Sequence, residues 1–254
     1  WIVNFFVSHE HCTTYDGKTS SLTKVNSSVI QGSGLGPSCY AVAASDLQPV
    51  VDTNKIIKFA DDFYLVIPSC NVNTRSAELE HIKDWSTLNN LHLNCNKSHE
   101  IIFERPRSHQ KVDVSLLLDV PRVDTIKILG VTLSNKFSMD QHITEIISSS
   151  ARALYALRIL RSHGMKEIDI QNVFRATVLS KLVYASPSWW GFTNNSHRER
   201  LECFLRKATK AGFYPKESKT FSEICEDADQ VFFRRVINND DHPLKHFPSA
   251  KVIS

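Results

Sequence analysis

The sequence predicts an α+β fold, and three observations carry that prediction. Short apolar runs broken by turn residues fill the first half, helical periodicity fills the second, and a single glycine-rich loop near residue 34 leads from strand-like into helical sequence. With 254 residues, 42% of them hydrophobic, the chain can bury one large core or two smaller ones, which excludes a disordered protein.

Taken in order, residues 1–7 are apolar and read as the end of a helix already under way. The first residue is Trp1 rather than Met, so the chain is expected to begin mid-gene or mid-domain. Residues 11–15 and 21–30 are strand-like pieces around the turn signal Asp16-Gly17. Gln31-Gly32-Ser33-Gly34-Leu35-Gly36-Pro37 follows, and Pro37 suits the first turn of a helix over the small, apolar stretch 39–47. Residues 56–67 form two apolar runs with Asp61-Asp62 between them, the pattern of a hairpin with carboxylates at its tip.

Leu79, Ile82, Trp85 and Leu88 recur every three residues and predict a helix over 75–91, with further strands at 91–103 and 125–133. Ile143, Ile146, Ile147, Ala151, Leu154 and Leu157 mark an amphipathic helix that stops near His163-Gly164. A second helix runs from about Lys166 to Tyr184. A third opens at Ser196, with Glu199 reaching back to the cap, and closes at Gly212. Beyond 215 the periodicity is weak and a tail is expected.

The net charge of +3 is unevenly spread. Residues 151–210 hold eleven Lys and Arg against four acids, so this segment carries +7 and the remainder −4. A basic helical module beside a mildly acidic body suits a polyanion-binding arm, and a solvated helical surface is the alternative. Six scattered cysteines without a C-x-x-C pair suggest neither a zinc site nor a disulfide framework, and His9-Glu10-His11-Cys12 lacks a second ligand pair. With no apolar run of membrane-spanning length and no signal peptide, a soluble intracellular protein is expected, nuclear and cytoplasmic placement being indistinguishable.

Adjacent aspartates are weak evidence alone, and Asp240-Asp241, set in the polar run Asn238-Asn239-Asp240-Asp241-His242-Pro243, is an internal control. Asp61-Asp62 differs because Ile56, Ile57, Phe59 and Ala60 precede it and Phe63, Tyr64, Leu65, Val66 and Ile67 follow. Two charges inside a dozen apolar residues destabilise a fold unless they lie at a turn or hold a cation. A plain exposed hairpin tip is one reading. The chemical reading is a Mg²⁺ site, because hard cations take oxygen ligands and leave positions for phosphates.

The order of signals resembles the reverse transcriptases of non-LTR retrotransposons, in particular the jockey and CR1-like lineage, from Trp1 to about Pro215. Gln31-Gly32-Ser33-Gly34-Leu35-Gly36-Pro37 matches the family's loop against template and incoming nucleotide, and Phe59-Ala60-Asp61-Asp62 its metal motif. Asn94-Cys95-Asn96-Lys97 matches the segment whose lysine lies near the nucleotide phosphates. Ile128-Leu129-Gly130-Val131 resembles the strand that grips the primer end. Gln141-His142-Ile143 begins the thumb-like part, and Trp189-Trp190-Gly191 lies in a stretch the family often retains, although the tryptophans themselves read as core.

The resemblance implies a right-hand polymerase palm, a partial antiparallel sheet with helices, over 1–135. A helical thumb over 136–215 and a tail over 216–254 would follow. It implies Asp61 and Asp62 as Mg²⁺ ligands and catalytic residues with Lys97, nucleotide or template contacts at Gln31, Gly32 and Ser33, and a primer grip at Leu129 and Gly130. Nucleic-acid contacts are expected at Arg152, Arg158, Arg161, Arg206, Lys207 and Lys210. The implied partners are an RNA template with a DNA primer, or an RNA–DNA duplex, and deoxynucleoside triphosphates; no membrane is implied, and the oligomeric state is left open. Two departures stand out: Ser28-Val29-Ile30 precedes Gln31 where the family has Gly-Val-Pro, and the family's first metal motif, an aspartate followed by Ala-Phe-Asp, does not occur in these residues. The expectation is therefore a polymerase segment inactive by itself, with a decayed or repurposed RNA- or RNA–DNA-binding fragment as the alternative.

Overall fold

A computed structural model gives the architecture and describes residues 10–24, 33–104 and 114–245. It is a mixture of helices and small antiparallel sheets, as an α+β sequence predicts. The chain divides into two compact units, Trp1–Ser98 with Val112–Pro121, and His99–Lys111 with Arg122–Ser254. The apolar segment 1–7, most of the strand-like segment 21–30, and Gln31 and Gly32 lie outside the described residues.

In the first unit, β1 (Glu10–His11) pairs with β4 (Thr23–Lys24) and β2 (Thr14–Tyr15) with β3 (Lys18–Thr19), both antiparallel. The inner pair turns at Asp16-Gly17, both residues at positive φ, 48° and 71°. Helix α1 (Gly36–Ala43) has its proline in the first turn, where a missing N–H costs nothing. β5 (Lys55–Phe59) and β6 (Asp62–Val66) form the expected hairpin, in register from Lys55 opposite Val66 to Phe59 opposite Asp62.

Helix α2 (Arg75–Leu88) packs its Ile82 and Trp85 with Ala44 and Leu47 into a small core, which Tyr40, Ile56, Phe63 and Leu65 border. The buried stripe of α2 is Glu78, Ile82, Trp85 and Ser86, so the three-residue spacing named the helix and its Ile82 and Trp85 correctly but missed Glu78 and included Leu88, which is 84% exposed. No strand forms over 91–103. The polar run Asn94-Cys95-Asn96-Lys97 becomes a short 3₁₀ turn (Cys95–Lys97) capped by the Asn94 side chain, followed by a single bridge from Glu100 to Arg122.

In the second unit the predicted strand at 125–133 is a hairpin, β7 (Thr125–Ile128) and β8 (Val131–Ser134), because Gly130 at φ 87° lets the chain reverse. Helix α3 (Asp140–Ser162) ends at His163 as expected. Helix α4 (Glu167–Phe174) continues through a π-helical turn (Arg175–Leu179) into a last turn at Ser180–Leu182. After the short α5 (Ser186–Trp189), helix α6 (Asn195–Lys210) is capped by Asn194, whose side chain accepts from the His197 N–H while His197 reaches back. Ser196 and Glu199 do not supply that cap; Asn194 is placed two residues earlier and its amide oxygen fills the role.

The segment beyond 215 forms a helix as well. α7 (Phe221–Asn238) opens on a capping box between Thr220 and Glu223 and buries Phe221 and Cys225, while its later residues Val231, Phe233 and Ile237 are exposed. One core holds these helices together around Ile143, Phe174, Leu182, Trp189, Leu201 and Phe213. Trp189 is fully buried and Trp190 nearly so, which makes the pair core residues, as their composition suggested.

Candidate functional site

Asp61 and Asp62 lie at the tip of the β5–β6 hairpin and are exposed. The alternation of the strands places Phe63 and Leu65 toward the core, where the Phe63 ring meets Trp85 edge-on at 5.9 Å between centroids. Ala60, the first residue of the two-residue turn, has φ 50°. A Cβ in that region costs about 1–2 kcal/mol, so the tip is held in a conformation that glycine would take more readily.

The hairpin is anchored at its base and along one strand. Lys58 of β5 donates from Nζ to the carbonyls of Ala44 and Leu47 at 2.5 and 2.6 Å, so it closes the end of α1. Burial pulls its pKa below the usual lysine value, against the field of Asp46. At the base, Glu78 is fully buried and accepts from the backbone N–H groups of Val50 and Val51 at 2.9 and 3.0 Å and from the Asn54 amide at 2.7 Å. Burial alone would raise the Glu78 carboxyl, but these three bonds and the field of His81 hold it below the ordinary range. Sequence reasoning missed Glu78; the signal was its place four and seven residues before the buried positions Ile82 and Trp85, on the same helix face.

Around the tip, the Tyr64 hydroxyl stands 3.3 Å from Asp62 Oδ2. The Tyr40 phenol of α1 is pushed up in pKa by burial and by the negative charge of Asp61, so the helix that follows the glycine loop lies within the field of the tip. Ser33 belongs to the same unit, and its Oγ accepts from the Gly36 N–H at 3.0 Å, fixing the entry to α1. Lys97 is exposed on the 3₁₀ turn of that unit, four residues after Leu93, which borders the same small core.

Asp61 and Asp62 supply hard oxygen donors suited to Mg²⁺, but two carboxylates leave most of an octahedral shell to other ligands. Among the described residues no group of three or more His, Cys, Asp and Glu side chains is assembled for a metal. Glu78 cannot complete one at the tip, since its two oxygens are committed to three donors.

Leu129 and Gly130 form the turn of the β7–β8 hairpin in the second unit rather than a stretch of strand. Leu129 is at φ 46°, its carbonyl accepts from the Tyr184 hydroxyl at 3.2 Å, and a Cβ at Gly130 would stand 3.1 Å from the Tyr184 ring. Sequence reasoning did not find Tyr184 in this role. The basic segment is partly spent on structure: Arg161 donates to the Ala211 carbonyl and lies 4.5 Å over the Phe213 ring, and Arg206 pairs with Glu199. Arg152, Arg158, Lys207 and Lys210 are exposed on α3 and α6.

Comparison with known proteins gives three relatives. The RNA-directed DNA polymerase from mobile element jockey of Drosophila melanogaster is 29% identical over 235 residues, covering 84% of this chain and 25% of that protein. The probable RNA-directed DNA polymerase from transposon X-element of the same fly is 24% identical over 200 residues, 73% of this chain and 22% of that protein. The jockey polymerase of Drosophila funebris is 24% identical over 233 residues, with 84% and 25% covered. Over most of its length the chain is similar to RNA-directed DNA polymerases of non-LTR retrotransposons. It spans about a quarter of the length of the curated relatives it matches. No family model and no solved structure matches it. Among the described residues no helix is long and apolar enough to cross a membrane.

Proposed function

We propose that this chain is part of an RNA-directed DNA polymerase, with the Asp61-Asp62 hairpin as one arm of a two-metal nucleotidyl-transfer site. The observation that carries the reading is the hairpin itself: two adjacent, exposed carboxylates on an anchored apolar hairpin, in a chain related to reverse transcriptases. In this reading residues 1–135 are palm, 136–215 thumb and 216–254 a tail. Gln31, Gly32 and Ser33 shape the nucleotide pocket, Lys97 neutralises or protonates the phosphate side, and the Leu129-Gly130 turn steadies the primer end. When bound, Mg²⁺ would activate the primer hydroxyl and stabilise the leaving pyrophosphate. RNA template, DNA primer and deoxynucleoside triphosphates are the proposed partners.

A two-metal site needs a third carboxylate, and these residues lack the family's Ala-Phe-Asp motif. The chain by itself is therefore proposed to be inactive or nearly so. Primer extension on an RNA template with Mg²⁺ or Mn²⁺ tests this: no extension is expected, and robust template-dependent extension would overturn it. The second reading, a non-catalytic RNA- or RNA–DNA-binding fragment, draws on the +7 segment. Binding that is insensitive to salt would count against it, because phosphate contacts release counterions.

A further inference from the structure

A cleft of about 890 Å³ opens in the second unit, lined by the β7–β8 hairpin, α3 and the end of the α4 run. Three cations from three elements reach it: Lys127 from β7, Arg152 from α3 and Lys181 from the last turn after α4. Lys181 donates from Nζ to the Ser149 hydroxyl at 2.9 Å, and none of the three has a carboxylate partner within ion-pair distance among the described residues. The acid in the lining, Glu145, accepts from Thr132 Oγ1 at 2.9 Å and Gln141 Nε2 at 3.0 Å and keeps its charge, within the field of Lys127, so three cations stand against one carboxylate. The cleft thus keeps an excess of positive charge in a concave surface, where low-dielectric walls concentrate the field.

A second feature is independent of that charge. His142, only 2% exposed, faces the Thr132 N–H with Nδ1 at 3.3 Å, which places the ring hydrogen on Nε2, and Nε2 has no hydrogen-bond partner. A buried donor without an acceptor costs about 1–3 kcal/mol, and the residue that bears it lines the cleft. Of the hydroxyls in the lining, Thr144, Thr177 and Ser180 donate to the carbonyls of Asp140, Val173 and Ala176, which leaves Ser148 and Ser149 as neutral donors, and Gly130 presents bare backbone.

We propose that this cleft docks phosphate groups of a nucleic-acid strand through Lys127, Arg152 and Lys181. The identity of the strand rests on the polymerase reading, while the anion chemistry rests on the cleft. Lys127 and Lys181 were not singled out by the sequence, and Arg161 and Arg206, which were, have intramolecular partners instead.

The test uses the full chain and fluorescence anisotropy with labelled single-stranded DNA, single-stranded RNA and an RNA–DNA duplex across a salt series. Lys127→Gln, Arg152→Gln and Lys181→Gln are each expected to weaken strand binding about tenfold and to lower the salt slope by about one. Arg234→Gln, an exposed cation on α7, should change neither, and circular dichroism checks that each variant folds. Wild-type affinity in all three cleft variants, or an equal loss in Arg234→Gln, would overturn the cleft as the site while leaving nucleic-acid binding standing. A chain that binds no strand at any salt would overturn both. In a parallel arm, inorganic phosphate that raises the melting temperature of the wild type but not of the variants, with no strand bound, would assign the cleft to free phosphate and refute the strand.

Discussion

Replacing Glu78 with Ala should unfasten the base of the hairpin that carries Asp61 and Asp62. The carboxylate holds three donors, and Ala removes that acceptor from all of them, Asn54 keeping its second bond, to Thr74 Oγ1. Val50 is 55% exposed, so its N–H can turn to water, but Asn54 is 2% exposed and the Val51 N–H has less access. Two stranded donors at about 1–3 kcal/mol each, plus the lost packing of a fully buried side chain, give a destabilisation of about 3–5 kcal/mol. Urea unfolding measures the loss, and hydrogen exchange of the Val50 and Val51 amides locates it in the loop before β5. A variant within about 1 kcal/mol of wild type, with those amides still protected, would refute the role assigned to Glu78. The pH dependence has a definite sign. Because the folded carboxyl is held below its unfolded value of about 4.3, its contribution is present above that pH and is lost as pH falls through the folded value. Wild type should therefore lose stability on acidification more steeply than Glu78→Gln.

Ala60→Gly should stabilise the first unit by about 0.5–1 kcal/mol, since it removes a Cβ at positive φ at the cost of a more flexible unfolded chain; a lower urea midpoint would contradict the turn geometry. Asp61→Asn with Asp62→Asn should leave the melting temperature nearly unchanged, both residues being exposed, while abolishing Mn²⁺ binding seen by paramagnetic relaxation. Mn²⁺ affinity equal to wild type would place the metal elsewhere. Cys225 is fully buried and its thiol is pushed up to about 12, chiefly by burial, so native protein at pH 8 should be alkylated at exposed Cys12 and Cys70 and not at Cys225. Rapid labelling of Cys225 before unfolding would show that α7 is not docked as described.

The hairpin at 55–66, the helices α2, α3, α4 and α6 and the core placement of Trp189 and Trp190 were legible because each rests on local periodicity or on apolar bulk. Three features were not, for separate reasons. The run 91–103 has enough apolar residues for a strand, but Asn94 caps a 3₁₀ turn in its middle and side-chain capping outcompetes pairing. Helix α7 was hidden because only its first turns face a core: Phe221 and Cys225 are buried while Val231, Phe233 and Ile237 are not, so no continuous stripe appears. Glu78 was hidden because a carboxylate on an inner helix face is satisfied by a loop more than twenty residues away, which no local pattern encodes. At the candidate site the acids were legible and their anchoring was not.

The hairpin turns sharpen what Asp61-Asp62 means. Asp16-Gly17 uses residues suited to positive φ and closes its turn at little cost. The turns at Ala60-Asp61 and Leu129-Gly130 place an alanine and a leucine in the same left-handed region, at φ 50° and 46°. Such positions persist only where the surroundings over-determine them, and both are so held: Lys58 and Glu78 fasten the first hairpin, and the Tyr184 hydroxyl and ring clamp the second. A solvated tip with no task would gain stability from Asn-Gly or Asp-Gly, as β2–β3 does. The acids of Asp240-Asp241 lie in a polar segment just after α7, with Asp240 paired to Lys245, and carry no comparable strain. What separates Asp61-Asp62 from that control is therefore the strained and anchored backbone beneath it as well as its apolar flanks.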